Sequence, residues 1–448
     1  MLQKGMQVGL LLFGIFFGAG NLIFPPSLGF MSSTSFVPAI IGFIITGVGM
    51  PVIALIMGTF NPGGFRAEMN RKISPFISLL LLIIIYLAIG PMMAIPRTAA
   101  TSFSIGIHPI AGEGTMQLAI YTALYFIAAW WLSITPSKLL SRVGKVLTPI
   151  FAIMIVLLFV VSLFTFTSTA LPAPMGKYAA SVFGSGFIEG YNTLDTLASF
   201  AFCIIALNTL KQLGFSSEKE YYASVWSAGV SVAILMAVLY LGLGFLGNHF
   251  AVPGEVLADK NINVGAYILT QASFQLFGSV GMWFLAVMVV ITCFTTSVGL
   301  IASVSQFFTE EFPQVSYKTY VTICSVISFL LANLGLNQII KVSLPLLLFV
   351  YPIAIAVVLL IIVNKFIDLS RLGMRITVAL AAIVALIDVF HQVWNVEGAT
   401  AVIMAMPLGD MGMAWIIPAI IGIVLSILLP QEKISGHTDS PMSFTDKK

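Results

Sequence analysis

Charged residues are scarce in this sequence, and their scarcity indicates the class of protein. Only 8% of the 448 residues are Asp, Glu, Lys or Arg, whereas a soluble domain has about 25%. Hydrophobic residues make up 59%, and apolar stretches of about 20 residues, each able to cross a hydrocarbon core of roughly 30 Å, recur along the chain. The sequence therefore predicts an integral membrane protein in a lipid bilayer, with one polytopic domain over residues 1–430.

Cysteine and nucleotide-binding patterns are also nearly missing. Cys203, Cys293 and Cys324 fall in predicted spans without CxxC spacing, so we expect buried thiols and neither a disulfide framework nor a metal site. The net charge of +3 is small and comes without a basic stripe, so the sequence does not predict nucleic acid as a partner, and no obligate protein partner is evident. No arrangement of nucleophile, base and orienting group appears, so the sequence does not predict an enzyme.

Hydropathy and breaker residues predict about twelve spans. The first follows Lys4, has no cleavage site behind it, and is interpreted as a retained helix and not as a signal peptide. The predicted spans lie near residues 7–30, 36–60, 75–103, 116–135, 145–168, 185–208, 222–247, 276–303, 317–334, 339–363, 375–393 and 411–429.

The positions of the cationic residues predict the orientation. All 20 Lys and Arg residues except Arg97, Lys177, Lys260 and Lys341 fall on the side of the N-terminus. By the positive-inside rule that side is cytoplasmic, and both termini should lie there. The polar segment 431–448 cannot bury enough apolar surface to order itself, so we expect a flexible cytoplasmic tail.

The first span contains residues that interrupt helices. Its stretch "FFGAGNLIFPP" combines Gly18 and Gly20 with Asn21 and with Pro25 and Pro26, which remove two backbone donors. Glycine alone would suit close packing of membrane helices, but close packing does not require an asparagine. We therefore predict a broken helix here.

The sixth span contains a polar cluster of the same kind. In "GSGFIEGYNTLDTLASFAF", Gly190, Asn192, Thr193 and Asp195 stand between apolar segments. The spacing is typical of a helix that restarts, with Asn192 as N-cap and the Asp195 carboxylate in the first turn.

Together, the two broken spans predict a binding site. As the first and sixth spans they cross the membrane in opposite directions, an arrangement typical of the inverted repeats of secondary transporters. Unwound backbone is tolerated at membrane depth only where it lines a cavity or is buried in protein. Helix ends offer amides to an anion and carbonyls to a cation, and a free amino acid carries both charges.

Four separated motifs now support a family resemblance: "FGIFFGAGNLIFPPSLG", "GPMMAIPRTAATSF", "GYNTLDTLA" and "CFTTSVGL". Over nearly its whole length the chain resembles the bacterial branched-chain amino acid:cation symporter family. The resemblance implies an all-α membrane fold similar to that of the sodium-coupled leucine and neurotransmitter transporters. Five-helix inverted repeats would cover about 7–168 and 185–363, with discontinuous first and sixth helices, and two extra helices would cover about 375–429.

The same resemblance implies an activity and substrate-binding residues. The activity would be secondary active import of leucine, isoleucine and valine across the bacterial cell membrane, with sodium as coupling ion or in some members a proton. Amides of Ala19 and Gly20 would hold the substrate carboxylate, with Asn21 beside it, and carbonyls of the sixth-span break would hold the ammonium. The predicted substrate-binding residues of that break are Gly190, Tyr191, Asn192 and Thr193.

A sodium site is implied between the first and eighth spans. Carbonyls of Gly14, Phe17 and Thr292 and hydroxyls of Thr295 and Thr296 would supply the oxygen ligands that a hard cation prefers. Alternatively, the hydroxyls bond back to carbonyls of their own helix, as is common in membranes.

Three charged residues within or near the spans are candidates for coupling or gating. A carboxylate in a span is costly unless paired, so Asp195 is interpreted either as a cap or as an ion- or proton-coupling group, and Glu189 is a second candidate. Arg97 is expected near the outer end of the third span, where it would seal a vestibule by pairing with an acidic residue or extend to the interface.

The closest alternative function is a proton-coupled amino acid carrier. An ion-conducting channel is a further alternative, but it predicts a repeated filter that the sequence does not show.

Overall fold

The structure is a computed structural model, and it describes residues 2–61, 63–112, 114–135, 138–165, 171–215, 217–259 and 261–430. Every regular element in these ranges is a helix. The predicted tail over 431–448 lies outside the described residues.

The α-helices are numbered in chain order. The first half of the chain forms α1 Leu2–Phe16, α2 Ala19–Ser32, α3 Phe36–Ile44, α4 Met50–Thr59, α5 Gly64–Lys72, α6 Pro75–Leu87, α7 Ala94–Ser102, α8 His108–Ala111, α9 Thr115–Ile134 and α10 Lys138–Thr165. The second half forms α11 Lys177–Ala180, α12 Val182–Tyr191, α13 Asp195–Leu213, α14 Glu218–His249, α15 Gly254–Ala258, α16 Val264–Glu311, α17 Tyr317–Ala332, α18 Leu336–Phe366, α19 Arg371–Trp394, α20 Glu397–Ala405 and α21 Ile416–Leu428. Short 3-10 turns occur at Ser33–Ser35 and Gly409–Met411, and π-helical segments at Ile45–Gly49, Ala88–Met92 and Phe103–Ile107.

The structure confirms an all-helical membrane protein. In the described ranges, 8 helical stretches are long and apolar enough to cross a membrane, and shorter apolar helices include Tyr317–Ala332 and Ile416–Leu428. The stretch Ala19–Thr59 combines part of the predicted first span with the second. A total of about twelve spans and an inverted repeat stay predictions. The three cysteines are buried and free, as expected.

The predicted break in the first span is present, but the prolines do not cause it. Helix α1 ends at Phe16 and α2 begins at Ala19, with Gly18 extended between them (φ −122°, ψ −161°). Pro25 and Pro26 lie inside α2, so the prediction that they form part of the interruption is wrong. The φ angle of proline fits a helix, and α2 is enclosed by other helices, so two missing donors do not end it.

The sixth span is broken where the polar cluster predicts, but the residue at the N-cap of its second helix is not the predicted one. Helix α12 ends at Tyr191, Asn192 is its C-cap with helical φ and ψ, and α13 begins at Asp195. The prediction of Asn192 as N-cap is therefore wrong, because Leu194 holds that position in a left-handed conformation (φ +67°). Asp195 does lie in the first turn, as predicted.

A third interruption was not predicted from the sequence. The third span consists of α6, the π-helical segment Ala88–Met92 and α7, and Gly90 inside that segment has non-helical angles (φ −93°, ψ −129°). Pro91 follows Gly90, and such a Gly-Pro pair is a recognised sign of an irregular turn. Because of this turn, α7 presents Arg97 to the sixth-span break.

Helix α2 is held by glycines of two neighbouring helices. A Cβ on Gly247 of α14 would lie 2.0 Å from the Pro26 carbonyl oxygen, and a Cβ on Gly265 of α16 would lie 1.9 Å from the Ile23 carbonyl oxygen. Gly29 of α2 approaches the Gly244 carbonyl equally closely. These contacts fit the role of small residues in membrane packing, and they fix α2 in place.

Replacing one of these glycines should destabilise the protein. We expect Gly247→Ala to lower stability by about 1–3 kcal/mol, because the new methyl group would meet backbone and not a movable side chain. The measurement is the melting temperature of the detergent-purified protein. Gly299→Ala in α16 is the matched control, since a Cβ there meets nothing within 4 Å. Equal melting temperatures for the two variants would contradict the packing described.

Candidate functional site

The two helix breaks are joined by the side chain of Asn21. Its Oδ1 accepts a hydrogen bond from the Gly18 amide (3.0 Å), inside the first break. Its Nδ2 donates to Oδ2 of Asp195 (2.8 Å), the first residue after the second break. The Tyr240 hydroxyl of α14 also donates to Asp195 Oδ2 (2.9 Å) and is itself hydrogen-bonded to Asn21. One carboxylate oxygen therefore connects three helices.

The carboxylate of Asp195 does not cap its own helix in this arrangement. It is buried, with 2% of its surface exposed, and its Oδ2 accepts hydrogen bonds from the side chains of Asn21 and Tyr240. The Asp195 amide instead lies 3.4 Å from Oγ1 of Thr193. The geometry thus shows a cross-link between helices and argues against a cap, while the coupling role of Asp195 stays a prediction.

Arg97 lies in the protein interior beside the second break. It is 4% exposed, its Nη1 donates to the Asn192 carbonyl (2.6 Å), and its Nη2 lies 3.4 Å from the Thr193 carbonyl. No ion pair among the described residues includes it. The prediction that Arg97 seals an outer vestibule with an acidic partner or extends to the interface is wrong, because the turn at Gly90 directs it inward.

A small cavity lies where these groups meet. Its volume is about 30 Å³, the space of one water molecule or a bare cation, and much less than an amino acid needs. Its walls come from both breaks, α7 and α16. The predicted site residues that line it are Ala19, Gly20, Asn21, Thr193, Asp195, Arg97 and Thr296.

Other residues of the sixth-span prediction face away from this cavity. Tyr191 stacks on Tyr351 of α18 with ring centroids 4.3 Å apart. Gly190 packs against the second span, where a Cβ would lie 2.0 Å from Oγ1 of Thr46. Glu189 forms an ion pair with Lys177 of α11. The structure therefore places these three residues around the break and not in the cavity wall.

The predicted cation-site residues behave differently from one another. The Thr295 hydroxyl bonds back to the Thr292 carbonyl (3.0 Å), as the alternative interpretation expected. The Thr296 hydroxyl is buried and has no hydrogen-bond partner among the described residues. It faces the first break, 3.6 Å from the position of a Cβ on Gly18. An unpartnered buried oxygen at this place fits a ligand for a cation. Gly14 and Phe17, the other predicted ligands, flank the end of α1 at Phe16, and the Phe17 amide donates to the Phe13 carbonyl (2.8 Å).

A hydroxyl cluster beside Thr296 was missed from the sequence. Ser297 of α16 is hydrogen-bonded to Thr98 of α7 and to Tyr125 of α9 (2.9 Å), so it connects helices and does not bond back. Tyr125 also donates to Thr98 (3.2 Å). Neither these contacts nor Tyr240 had a local signal, because they depend on distant parts of the chain meeting.

Comparison with known proteins finds relatives over nearly the whole chain. A family model described as branched-chain amino acid transport protein matches residues 1–433. The chain is 38% identical over 436 residues to a protein of Staphylococcus saprophyticus named as a branched-chain amino acid carrier, covering 95% of this chain and 97% of the relative. It is 39% identical over 440 residues to a Staphylococcus aureus protein of the same description, with the same coverage.

Solved transporter structures share the fold. Mhp1, a nucleobase-cation-symport-1 family transporter in a closed conformation with bromovinylhydantoin bound, has a TM-score of 0.57 at 14% identity and covers 95% of this chain and 91% of its own. MhsT in complex with L-phenylalanine has a TM-score of 0.55 at 16% identity, with coverage of 94% and 98%. Homologues and structural neighbours alike are transporters, so this chain is not an enzyme. By sequence over nearly its whole length, it belongs to the family of branched-chain amino acid transport proteins.

Proposed function

We propose that this chain imports leucine, isoleucine and valine together with sodium, by alternating access in a bacterial cell membrane, with both termini cytoplasmic. One observation carries the proposal: two broken helices meet at one cavity and are cross-linked there through Asn21 and Asp195. Broken helices at a shared site are the means by which secondary transporters bind polar solutes. The names of the relatives support the substrate class.

The polar ends of the substrate fit the two breaks. Ala19 and Gly20 begin α2, so their amides lack intrahelical acceptors and favour the substrate carboxylate. The carbonyls of Asn192 and Thr193, after the end of α12, are acceptors suited to the ammonium. Because the cavity of about 30 Å³ is too small for an amino acid, its walls move apart when the substrate enters.

The rest of the cavity wall suits a branched apolar side chain. Ile89, Ala198, Phe202 and Leu300 line it. Burying a leucine-sized side chain is worth about 1.5–3 kcal/mol, so branched-chain substrates should be preferred over alanine or polar amino acids. One methylene changes the preference only about 10-fold or somewhat more, so leucine, isoleucine and valine should compete with one another.

Sodium fits between the first break and α16. The unpartnered Thr296 hydroxyl, the Thr295 hydroxyl and carbonyls of Gly14, Phe17 and Thr292 provide oxygen ligands. A zwitterion with one sodium moves one positive charge inward. At roughly 100 mV, inside negative, this contributes about 2.3 kcal/mol, or nearly 50-fold accumulation.

The position of Asp195 favours a second candidate function, proton-coupled transport. It is a buried carboxylate in the cavity wall, and protonation would change the hydrogen bonds that it accepts from Asn21 and Tyr240.

Uptake of labelled leucine into proteoliposomes, with sodium and pH gradients imposed separately, decides the coupling ion. We expect an inward sodium gradient to drive saturable uptake that excess isoleucine or valine inhibits and alanine does not. Uptake driven by the pH gradient alone would show that the proton, and not sodium, is the coupling ion. Conductance without saturable uptake would favour a channel and contradict both.

Removing the Thr296 hydroxyl tests the cation site. We expect Thr296→Ala to raise the sodium concentration for half-maximal uptake about tenfold or more, because a buried oxygen ligand is lost, while the order of substrate preference is kept. Thr309→Ala in the same helix is the control, since the Thr309 hydroxyl bonds back to the Ser305 carbonyl (2.7 Å) outside the site. An equal effect of the two substitutions on sodium dependence would refute the assignment.

Neutralising Asp195 separates the two coupling candidates. Asn can still accept hydrogen bonds from Asn21 and Tyr240, so sodium-driven leucine uptake should persist in Asp195→Asn. Its affinity for leucine should be lower, because the negative charge beside the ammonium is lost. The same variant should lose any uptake driven by a pH gradient. Asp388→Asn, which alters a buried carboxylate of α19 outside the cavity, is the matched control. Persistent pH-driven uptake in Asp195→Asn would exclude this residue as a proton carrier.

A further inference from the structure

We infer that Arg97 is the cation that binds the substrate's α-carboxylate. In the structure its guanidinium contacts the Asn192 and Thr193 carbonyls, which receive the substrate's ammonium when the substrate binds. The inference deepens the proposed function and rests on it. It assigns this family member a ligand class, free α-amino acids with an unmodified carboxylate, on the basis of one buried arginine.

The position of the guanidinium is the first argument. Arg97 lines the cavity, and its Nη atoms face the Asn192 and Thr193 carbonyls of the second break. The first break is equally close, because a Cβ on Gly20 would lie 2.7 Å from Nη2. The guanidinium thus lies between the two breaks, beside the α2 amides that favour the carboxylate. A larger residue at position 20 would require the guanidinium to move.

Unused hydrogen-bonding capacity is the second argument. A guanidinium has five N–H donors in a planar fork. Here the contacts are to two carbonyls and to the face of Phe24, whose ring centroid is 5.3 Å from Cζ. The Nε atom is buried and has no partner among the described residues. Such an orphaned donor in a cavity wall indicates a missing acceptor, and a carboxylate is the acceptor that fits the fork.

The charges around the cavity are the third argument. Arg97 and Asp195 line the same cavity with opposite charges, yet they do not form an ion pair, since Asp195 Oδ2 accepts from Asn21 and Tyr240. A buried charge is costly unless it is compensated. A zwitterion compensates both charges at once. Its carboxylate would face Arg97, and its ammonium would face Asp195 and the carbonyls of the second break.

An exchange of partners follows from these contacts. Carbonyl oxygens only accept, so they bind a guanidinium or an ammonium but not a carboxylate. When the substrate enters, its ammonium takes the Asn192 and Thr193 carbonyls and the released fork of Arg97 turns to the carboxylate. The two carbonyls keep a cationic donor throughout, and the fork of Arg97, including the unpartnered Nε, gains an acceptor. A ligand without the carboxylate would leave the guanidinium without an anionic acceptor.

The test measures equilibrium binding of leucine and of leucinamide to the detergent-purified full-length chain. Leucinamide keeps the amine and the side chain but lacks the carboxylate. In the unmodified protein we expect leucine to bind at least about 100-fold more tightly, because leucinamide displaces the guanidinium without offering it a charge. 4-Methylpentanoate, which lacks the ammonium, should also bind weakly.

The decisive variant is Arg97→Gln. Leucine affinity should fall about 100-fold or more, whereas leucinamide affinity should rise, because no guanidinium competes for the Asn192 and Thr193 carbonyls. A gain of binding cannot come from misfolding. Arg97→Lys should lower leucine affinity, because it lacks the fork, and still reject leucinamide, because it keeps the charge.

Arg375→Gln is the matched control, since Arg375 also donates to a backbone carbonyl, that of Ile73 (2.9 Å), but lies outside the cavity. It should leave the leucine-to-leucinamide ratio unchanged. A folded Arg97→Gln protein that keeps the unmodified protein's ratio would overturn the inference. If the protein prefers other α-amino acids to leucine but rejects their amides, only the proposed side-chain specificity fails. If it binds no amino acid, both proposals fail.

Discussion

The hydrogen bond from Asn21 to Asp195 is the contact on which the rest of the site depends. Each break leaves peptide groups without helical partners at membrane depth, where no bulk water can satisfy them. Asn21 fixes the first break through the Gly18 amide and reaches the start of α13 through Asp195. Tyr240 brings α14 to the same oxygen. With the breaks held together, their free amides and carbonyls face one small cavity and not separate parts of the bilayer.

The second constraint is electrostatic. The cavity contains an arginine and an aspartate that are both almost fully buried and do not pair with each other. Direct pairing would neutralise them and leave nothing for a zwitterion. Instead, the Arg97 side chain donates to backbone carbonyls, and the Asp195 side chain accepts hydrogen bonds from neutral donors. Both residues are solvated by dipoles that a substrate can replace, which is less costly than breaking a buried ion pair.

The sequence predicted the locations of both breaks and the place of Asp195 in the first turn after the second break, because glycine, asparagine and aspartate are out of place in apolar spans. It did not predict which residues would act within the breaks. Pro25 and Pro26 continue a helix because their neighbours enclose it, and Asn192 ends a helix where local spacing suggested a start. Tyr240 looked like any residue of an apolar span. The depth of Arg97 depended on the turn at Gly90, and hydropathy counts residues along the chain without detecting such a turn.

Packing explains why both ligands would act on the same motion. The first span packs on α14 through Gly5, Gly9, Gly29 and Gly247, and the sixth span on the second through Gly42, Gly186 and Gly190. Tyr240 connects these two pairs, and the hydroxyls of Thr98, Tyr125 and Ser297 join α7, α9 and α16 into a second group. The second group contacts the first at α2, through Gly265 of α16. Arg97 and Thr296 belong to the second group but face the breaks of the first. In the proposed function, substrate binding would change the contacts of Arg97, and a cation would join Thr296 to the first break. Each ligand would then act between the same two groups of helices, and each would change the affinity for the other through the relative position of the groups.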